Sequence, residues 1–294
     1  VLVALETNGT WLEEFVFHHN LNRFSSTMEG HGGPFYLPPL MVFVGFLPTS
    51  GLVLLSLFTL KKELKVQPLL RLSLIFSAVI LVFFMFSKTK LPNYTAPIYP
   101  FLAVVIGLSA GQLFKSKYLK ILLFGSMLVP LALGISLKVF GPQIRELSSF
   151  PNLWWLVIPS SVIAMLGFVF LVNSRRVTGY WLICLSYVSL SMGLLGFGFP
   201  WLDSQNPVKS ALKTFPKSTQ FSYWKRYNPA FPFNSEQVIL PWDQDKFTEN
   251  TLVLTTAKAL KEEPFPIPFD EVFRAQDLFE GTETVILKPR FAEK

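Results

Sequence analysis

The sequence predicts a multi-pass α-helical membrane protein with a small carboxy-terminal extracytoplasmic α/β domain. Three observations carry that prediction. Six apolar runs, at 36–60, 69–86, 96–114, 118–139, 153–172 and 179–199, each approach the length a helix needs to cross bilayer hydrocarbon, about 20 residues for ~30 Å. The composition changes abruptly near residue 200. Residues 1–200 hold 14 Lys/Arg and 6 Asp/Glu, whereas 201–294 hold 12 and 13, so the net charge of +7 belongs to the first part alone. Third, the basic residues of that part fall mostly in short gaps between the runs. A nucleic-acid partner would call for cations gathered on one soluble face with aromatics interleaved, and that class is excluded. The only cysteine, Cys184, lies inside an apolar run, so no intrachain disulfide forms. The chain opens at Val1 with no signal peptide and reads as the carboxy-terminal part of a longer protein.

In chain order, residues 1–36 form an extracytoplasmic amphipathic helix and loop. Trp11, Phe15, Phe17, Leu21 and Phe24 recur at helical spacing among Glu13, Glu14, His18, His19 and Arg23, which suits a helix lying on a membrane surface. Glycine-rich residues 25–35, which include His31, are either a flexible surface loop or a loop whose glycines admit a ligand closely. Residues 37–200 form the transmembrane domain of about six helices, in which Pro130 and Pro159 are expected to kink their spans. Between the second and third runs stands FSKTKLPNYTAPIYP, residues 86–100, with two lysines, an asparagine, a tyrosine and prolines. Polar and cationic groups there are costly in hydrocarbon unless they face an interface or a cavity, and the prolines stop the helix.

Orientation follows from the gaps. The odd-numbered gaps hold Lys61, Lys62, Lys65, Arg71, Lys115, Lys117, Lys120, Arg175 and Arg176, and the even ones hold Lys88, Lys90 and Arg145. The positive-inside rule places the odd gaps in the cytoplasm. Residues 1–36, the 88–94 loop, the 140–152 loop and everything after Pro200 then lie outside. Lys88 and Lys90 run against the bias, which favours ligand contacts over topological anchors.

Residues 201–294 read as an extracytoplasmic α/β domain. NPVKSALKTF (206–215) reads as a helix with Asn206 at its cap and Pro207 in its first turn. Strands are expected at TQFSYW, EQVIL, TLVLTT and ETVILKP, and helices at DQDKFTEN and FDEVFRAQDLF, giving a mostly parallel sheet. No glycine-rich phosphate loop follows a strand. Lys225 and Arg226, flanked by aromatics in residues 223–233, are either part of a packed turn or a rim that touches the membrane surface or an acceptor head group.

The outward face therefore gathers Arg23, His31, Lys88, Lys90, Asn93 and Tyr94 from two stretches about 60 residues apart. Cations beside an apolar cavity suit an anionic head group with a lipid tail, such as a polyprenyl phosphate. Arg23 offers a bidentate phosphate contact, or an interfacial anchor paired with Glu13 or Glu14. His31 is open to phosphate hydrogen bonding, metal ligation or loop packing. None of Glu6, Glu13, Glu14, Glu29 and Glu146 lies in a segment that spacing marks as catalytic.

Residues 20–50, NLNRFSSTMEGHGGPFYLPPLMVFVGFLPTS, resemble an Arg-Phe, His-x-x-Pro-Phe-Tyr, Gly-Phe-x-Pro-x-Ser pattern of bacterial membrane glycosyltransferases. FSKTKLPNYTAPIYP resembles the same family's Phe-Ser, Lys-Leu-Pro-x-Tyr, Pro-x-x-Pro block. These are the GT-C-class enzymes that use polyprenyl-phosphate sugars. They are related to the aminoarabinose transferase that modifies lipid A and, more remotely, to protein mannosyltransferases. Asn20 stands where the aminoarabinose enzymes more often have His, and Leu37 where a third aromatic is common. The resemblance implies sugar transfer from a polyprenyl-phosphate-linked donor to a lipid, glycan or protein acceptor, in a cavity on the outer face of the bacterial inner membrane. It implies donor-phosphate binding by Arg23, Lys88, Lys90, Tyr94 and His31. The catalytic aspartate is expected in a first outward loop upstream of Val1, so no catalytic residue is expected in this chain. Some relatives hold a divalent metal near the cavity, which makes His31 a candidate ligand; no other cofactor is implied. The competing readings are a polyprenyl-phosphate-binding transporter or flippase, and a non-catalytic membrane module.

Overall fold

The computed structural model describes residues 2–27, 31–60, 67–243, 251–279 and 281–290. The chain divides into two compact units, residues 1–135 with 157–190, and residues 136–156 with 191–294.

The first unit is helical. After α1 (Leu2–Glu6), α2 (Thr10–Glu13), a π-helical stretch (Glu14–Leu21) and α3 (Asn22–Ser25) run on without a break. Trp11, Leu12, Phe15, Phe17, Leu21 and Phe24 are all exposed along it. The apolar helices are α4 (Leu37–Gly45), α5 (Ser50–Thr59), α6 (Pro68–Phe86), α7 (Ile98–Leu113), α8 (Leu119–Phe140), and, beyond the short α9 (Arg145–Ser148), α10 (Ile158–Val172) and α11 (Arg176–Gly193). Among the described residues four helical stretches are long and apolar enough to cross a membrane, at 68–86, 119–143, 153–172 and 176–204; α4 and α5 together make a fifth if the bent pair is one span. The segment α7 has 16 residues.

Their interiors are inverted relative to a water-soluble protein. In α6 the buried positions are Leu70, Ser73 and Ser77, while Ile75, Val79 and Phe86 are exposed. The buried stripes of α10 (Ser160, Ala164, Gly167, Leu171) and α11 (Gly179, Ile183, Ser186, Leu190) step by four, three and four, the period of a single helix face. Small residues let these two backbones meet: a Cβ at Gly179 would lie 2.7 Å from the Gly167 carbonyl oxygen and 2.7 Å from the Leu171 nitrogen. Between lipid-facing helices, such close packing and buried hydroxyl pairs take over from hydrophobic drive. The Ser56–Ser109 hydrogen bond of 2.7 Å between α5 and α7 is one such pair.

Two expectations are corrected here. The first apolar run is not one helix: α4 and α5 meet at 106°. Pro48 has no amide hydrogen to continue a helix, and its carbonyl is instead satisfied by the Ser126 hydroxyl at 2.9 Å, the internal partner that non-helical backbone needs at membrane depth. Pro159 is not in the interior of its α-helix: it sits in the first turn of α10 and helps to start it. Pro130 lies inside α8.

The basic residues of gaps three and five come together and cap helix ends. Arg176 donates to the Phe114 carbonyl at 2.7 Å, and Lys120 to the Val172 carbonyl at 3.2 Å. Cations at carboxyl termini complement the helix dipole. Lys61, Lys62 and Lys65 of gap one lie outside the described residues.

In the second unit α12 (Phe199–Ser204) leads to α13 (Pro207–Thr214), capped as expected by the Asn206 side chain accepting from the Val208 amide at 3.0 Å. The sheet comprises β1 (Gln220–Tyr223), β2 (Leu240–Pro241), β3 (Thr251–Thr256), β4 (Phe269–Gln276) and β5 (Glu283–Pro289), ordered β2-β1-β3-β5-β4, with α14 (Ala230–Ser235) and α15 (Ala257–Glu262). Strand β3 is buried throughout. Leu252 and Leu254 join Val208, Phe221, Phe231 and Ile286 on one side, and Val253 joins Trp242, Phe265, Val285 and Leu287 on the other.

The sheet is mixed rather than mostly parallel: β2, β1 and β3 run parallel, and β5 and β4 antiparallel to their neighbours. FDEVFRAQDLF is likewise not a helix but contains edge strand β4. A bulge between Glu271 and Phe273 inserts Val272, which breaks the strict alternation that marks a strand. Its charges are met across the sheet, Arg274 by Glu283 at 2.6 Å and Asp270 by Arg290. EQVIL contributes paired strand only at its end, in β2. Of DQDKFTEN, residues 244–250 lie outside the described residues.

Candidate functional site

Residues 87–90 turn away from the last turn of α6 and dock against Phe24, Ser26 and His31. Ser87 leaves the helix with an extended ψ of 139°; Pro92 then opens a 3₁₀ turn (Pro92–Thr95), and Pro97 precedes α7. The docking is made largely by main chain. The Lys88 amide donates to the Phe24 carbonyl at 2.9 Å and the Lys90 amide to the His31 carbonyl at 2.7 Å. Between them the Thr89 hydroxyl donates to the Ser26 carbonyl at 2.8 Å. Within the loop the Ser87 hydroxyl donates to the Thr89 carbonyl at 2.9 Å, and the Lys90 ammonium donates to the Ser87 carbonyl. Phe24 also packs on Phe83 of α6, ring centroids 5.1 Å apart.

This docking separates the two lysines. Lys90 is only 7 % exposed, between buried Thr89 and the chain passing over it; a Cβ at Gly33 would lie 3.7 Å from Lys90 Cδ. Lys88 is exposed at the crest of the loop. Neither forms an ion pair with a described residue. Among the described side chains the loop thus presents one outward cation, Lys88, and a second, Lys90, that is enclosed and hydrogen-bonded to its own loop. An anion is the ligand such a surface can hold.

The other expected residues are placed as follows. His31 is exposed and contributes its carbonyl to the docking. Tyr94 is half-buried, its ring stacked on Phe84 of α6 with centroids 4.8 Å apart. Arg23 belongs to α3, next to Phe24, but its side chain lies outside the described residues. Among the described residues no group of three or more His, Cys, Asp or Glu is arranged to hold a metal ion. Two apolar cavities of about 320 and 310 Å³ lie between the helices, one at α5, α7 and α11, the other at α4, α5, α6 and α7. His31, Lys88, Lys90 and Tyr94 line neither. Ser87, Thr89 and Ser26, which make the docking, were not singled out in the sequence. Their signal is weak, because carbonyl acceptors carry no side-chain signature.

In the second unit Lys225 adopts a left-handed conformation, φ 59°. Its ammonium lies 2.7 Å from Glu263 and 5.1 Å above the Trp224 ring. Arg226 has no ion pair with a described residue. The loop 144–149 is tied to the β4–β5 turn: the Phe279 amide donates to the Glu146 carboxylate at 3.2 Å and Arg145 to the Asp277 carbonyl at 3.0 Å. Hydrogen bonds from its own and the Phe279 amide hold the Glu146 carboxyl below its ordinary value. Asp277, 3 % exposed, accepts from Asn228 at 2.9 Å and Thr284 at 2.6 Å.

No family model matches the chain. It is 28 % identical over 124 residues to undecaprenyl phosphate-alpha-4-amino-4-deoxy-L-arabinose arabinosyl transferase 2 of Proteus mirabilis, which covers 41 % of this chain and 22 % of that protein. The corresponding transferase of Yersinia pestis is 27 % identical over 227 residues, 71 % of this chain and 39 % of that one. The chain therefore spans less than two-fifths of these curated relatives. The crystal structure of ArnT from Cupriavidus metallidurans bound to undecaprenyl phosphate superposes over 97 % of this chain and 57 % of its own, with a TM-score of 0.68 at 19 % identity; its apo state gives 0.58 at 17 %. The chain is thus a multi-pass membrane protein with the fold of ArnT and weak sequence homology to the polyprenyl-phosphate-dependent GT-C membrane glycosyltransferases.

Proposed function

We propose that the full-length protein transfers a sugar from a polyprenyl-phosphate carrier to a lipid, glycan or protein acceptor at the outer face of the bacterial inner membrane. The carboxy-terminal domain is then periplasmic. The observation that carries this reading is the loop 87–90, pinned to Phe24, Ser26 and His31 so that Lys88 stands exposed above a buried, hydrogen-bonded Lys90. Support comes from the fold shared with a transferase that was crystallised with undecaprenyl phosphate.

In the reaction, displacement at the anomeric carbon breaks the bond to the carrier phosphate. Negative charge develops on that leaving phosphate, and cations fixed beside it lower the barrier most when they need no rearrangement. Lys88 contacts the phosphate as a point charge, and Arg23 is its second, bidentate partner. Lys90 acts as a strut that keeps the loop docked. His31 and Tyr94 complete the phosphate side of the site. The carboxylate that orients or deprotonates the acceptor is assigned to residues outside these 294.

The test is sugar transfer by the full-length protein in proteoliposomes, read as release of free polyprenyl phosphate. Replacing Arg23 or Lys88 by Ala lowers turnover at least tenfold while expression and membrane insertion stay normal. Unchanged turnover in both variants overturns the assignment. Transport of the intact donor across the bilayer without release would favour the flippase reading instead.

A further inference from the structure

The extramembrane sheet carries a second cationic feature, distinct from the Lys88 loop. A cleft of about 410 Å³ is lined by Arg226, Tyr227, Thr256, Lys258, Gly281 and Thr282. Its chemistry is one-sided. Arg226 and Lys258 can only donate hydrogen bonds, both are exposed, and neither is ion-paired with a described residue. Thr256, 8 % exposed, accepts from the Ala259 amide at 3.1 Å, which leaves its hydroxyl proton to be given elsewhere. The Thr282 hydroxyl is shielded from solvent and makes no hydrogen bond with a described residue. Burial, with Tyr223 adjacent, raises Tyr227 above the ordinary phenol value, so its hydroxyl stays protonated and able to donate. No carboxylate is among the described lining residues. Lys225, one position away, is already committed to Glu263 at 2.7 Å.

We propose that the cleft between Arg226 and Lys258 binds a phosphate monoester, whether a free phosphate compound or a lipid head group. Two formal positive charges and three hydroxyls surround a space large enough for a phosphate and the first part of what it is attached to. The guanidinium supplies a planar two-point contact and the ammonium a point charge. Binding here does not depend on the transferase reading, since it draws on no residue of the Lys88 loop.

The experiment uses the full chain in neutral phosphatidylcholine nanodiscs at low salt. One arm titrates inorganic phosphate; the other replaces a tenth of the lipid by phosphatidic acid and reads the unfolding temperature and the phosphorus resonance of the head group. Saturable binding in either arm is expected, weakened at least tenfold by R226Q/K258Q and left unchanged by K225Q. The arm that responds identifies the source of the phosphate. K258Q alone, at an exposed position, weakens binding several-fold and serves if the double variant folds poorly. Equal binding in wild type and both variants overturns the proposal, as does an equal loss in K225Q.

Discussion

Replacing Lys90 by Met tests the division of labour between the two lysines. Methionine keeps the length and apolar stem of the side chain but removes the ammonium that donates to the Ser87 carbonyl. Two effects oppose each other. Taking away a charge that is 7 % exposed relieves its desolvation, while the loop loses a hydrogen bond from a charged donor, a net contribution of about 1.5–3 kcal/mol. The lysine is already held in a compact loop with its acceptor in place, so the second effect should win, at about 2 kcal/mol. In a chain of this size each kcal/mol moves the unfolding midpoint by roughly 2–4 °C, so a fall of about 5 °C is expected in detergent micelles. Lys88, exposed and bonded to the described residues only through its main-chain amide, should change stability by less than about 0.5 kcal/mol when replaced by Gln. Thermal unfolding of the two variants side by side reads the difference. A Lys90→Met variant as stable as the parent, or Lys88→Gln destabilised as much as Lys90→Met, would refute the strut.

Two further outcomes follow from packing and charge. Gly179→Leu drives a side chain into the Gly167 carbonyl and the Leu171 backbone, where even a Cβ would sit at 2.7 Å; overpacking of this kind costs about 1–3 kcal/mol, and a midpoint unchanged within 1 °C would contradict the close α10–α11 approach. In the extramembrane sheet, hydrogen bonds from Arg290 and Arg274 hold the Asp270 and Glu271 carboxyls below their ordinary values. Groups depressed in this way contribute stability above the unfolded carboxylate range, near pH 4, and lose it as pH falls through their lower folded values. The sheet should therefore be insensitive between pH 5 and 7, by that rough reckoning, and weaken below about 4; Trp224 and Trp242 fluorescence follows it, and Arg274→Gln flattens the acid limb. An acid limb that Arg274→Gln leaves untouched would show the pair contributes nothing.

Much of this architecture is legible from the sequence because it rests on local pattern. Apolar runs mark the helices, Asn206 marks its cap, and TLVLTT and ETVILKP mark β3 and β5. The grouping of residues 20–31 with 86–100 is also recoverable, through family resemblance. What escapes is set by contacts between distant residues. Which lysine turns inward depends on the Phe24, Ser26 and His31 carbonyls some 60 residues earlier, and nothing about Lys88 or Lys90 as residue types distinguishes them. The break between α4 and α5 needs Ser126, 78 positions away, to satisfy Pro48. Strand β4 is disguised by its bulge. The cleft of Arg226 joins residues from three separate stretches, of which only the first carried an aromatic and cationic signature.

The most direct measurement compares undecaprenyl phosphate with undecaprenol for binding to the chain in nanodiscs. The two share the apolar tail and differ only in the phosphate. If Lys88 and Arg23 recognise that group, the phosphate form binds at least tenfold tighter, the advantage shrinks as salt rises, and it collapses in Lys88→Gln/Arg23→Gln while undecaprenol binding stays the same. Equal affinity for the two lipids, or an advantage that survives the double substitution, would contradict it.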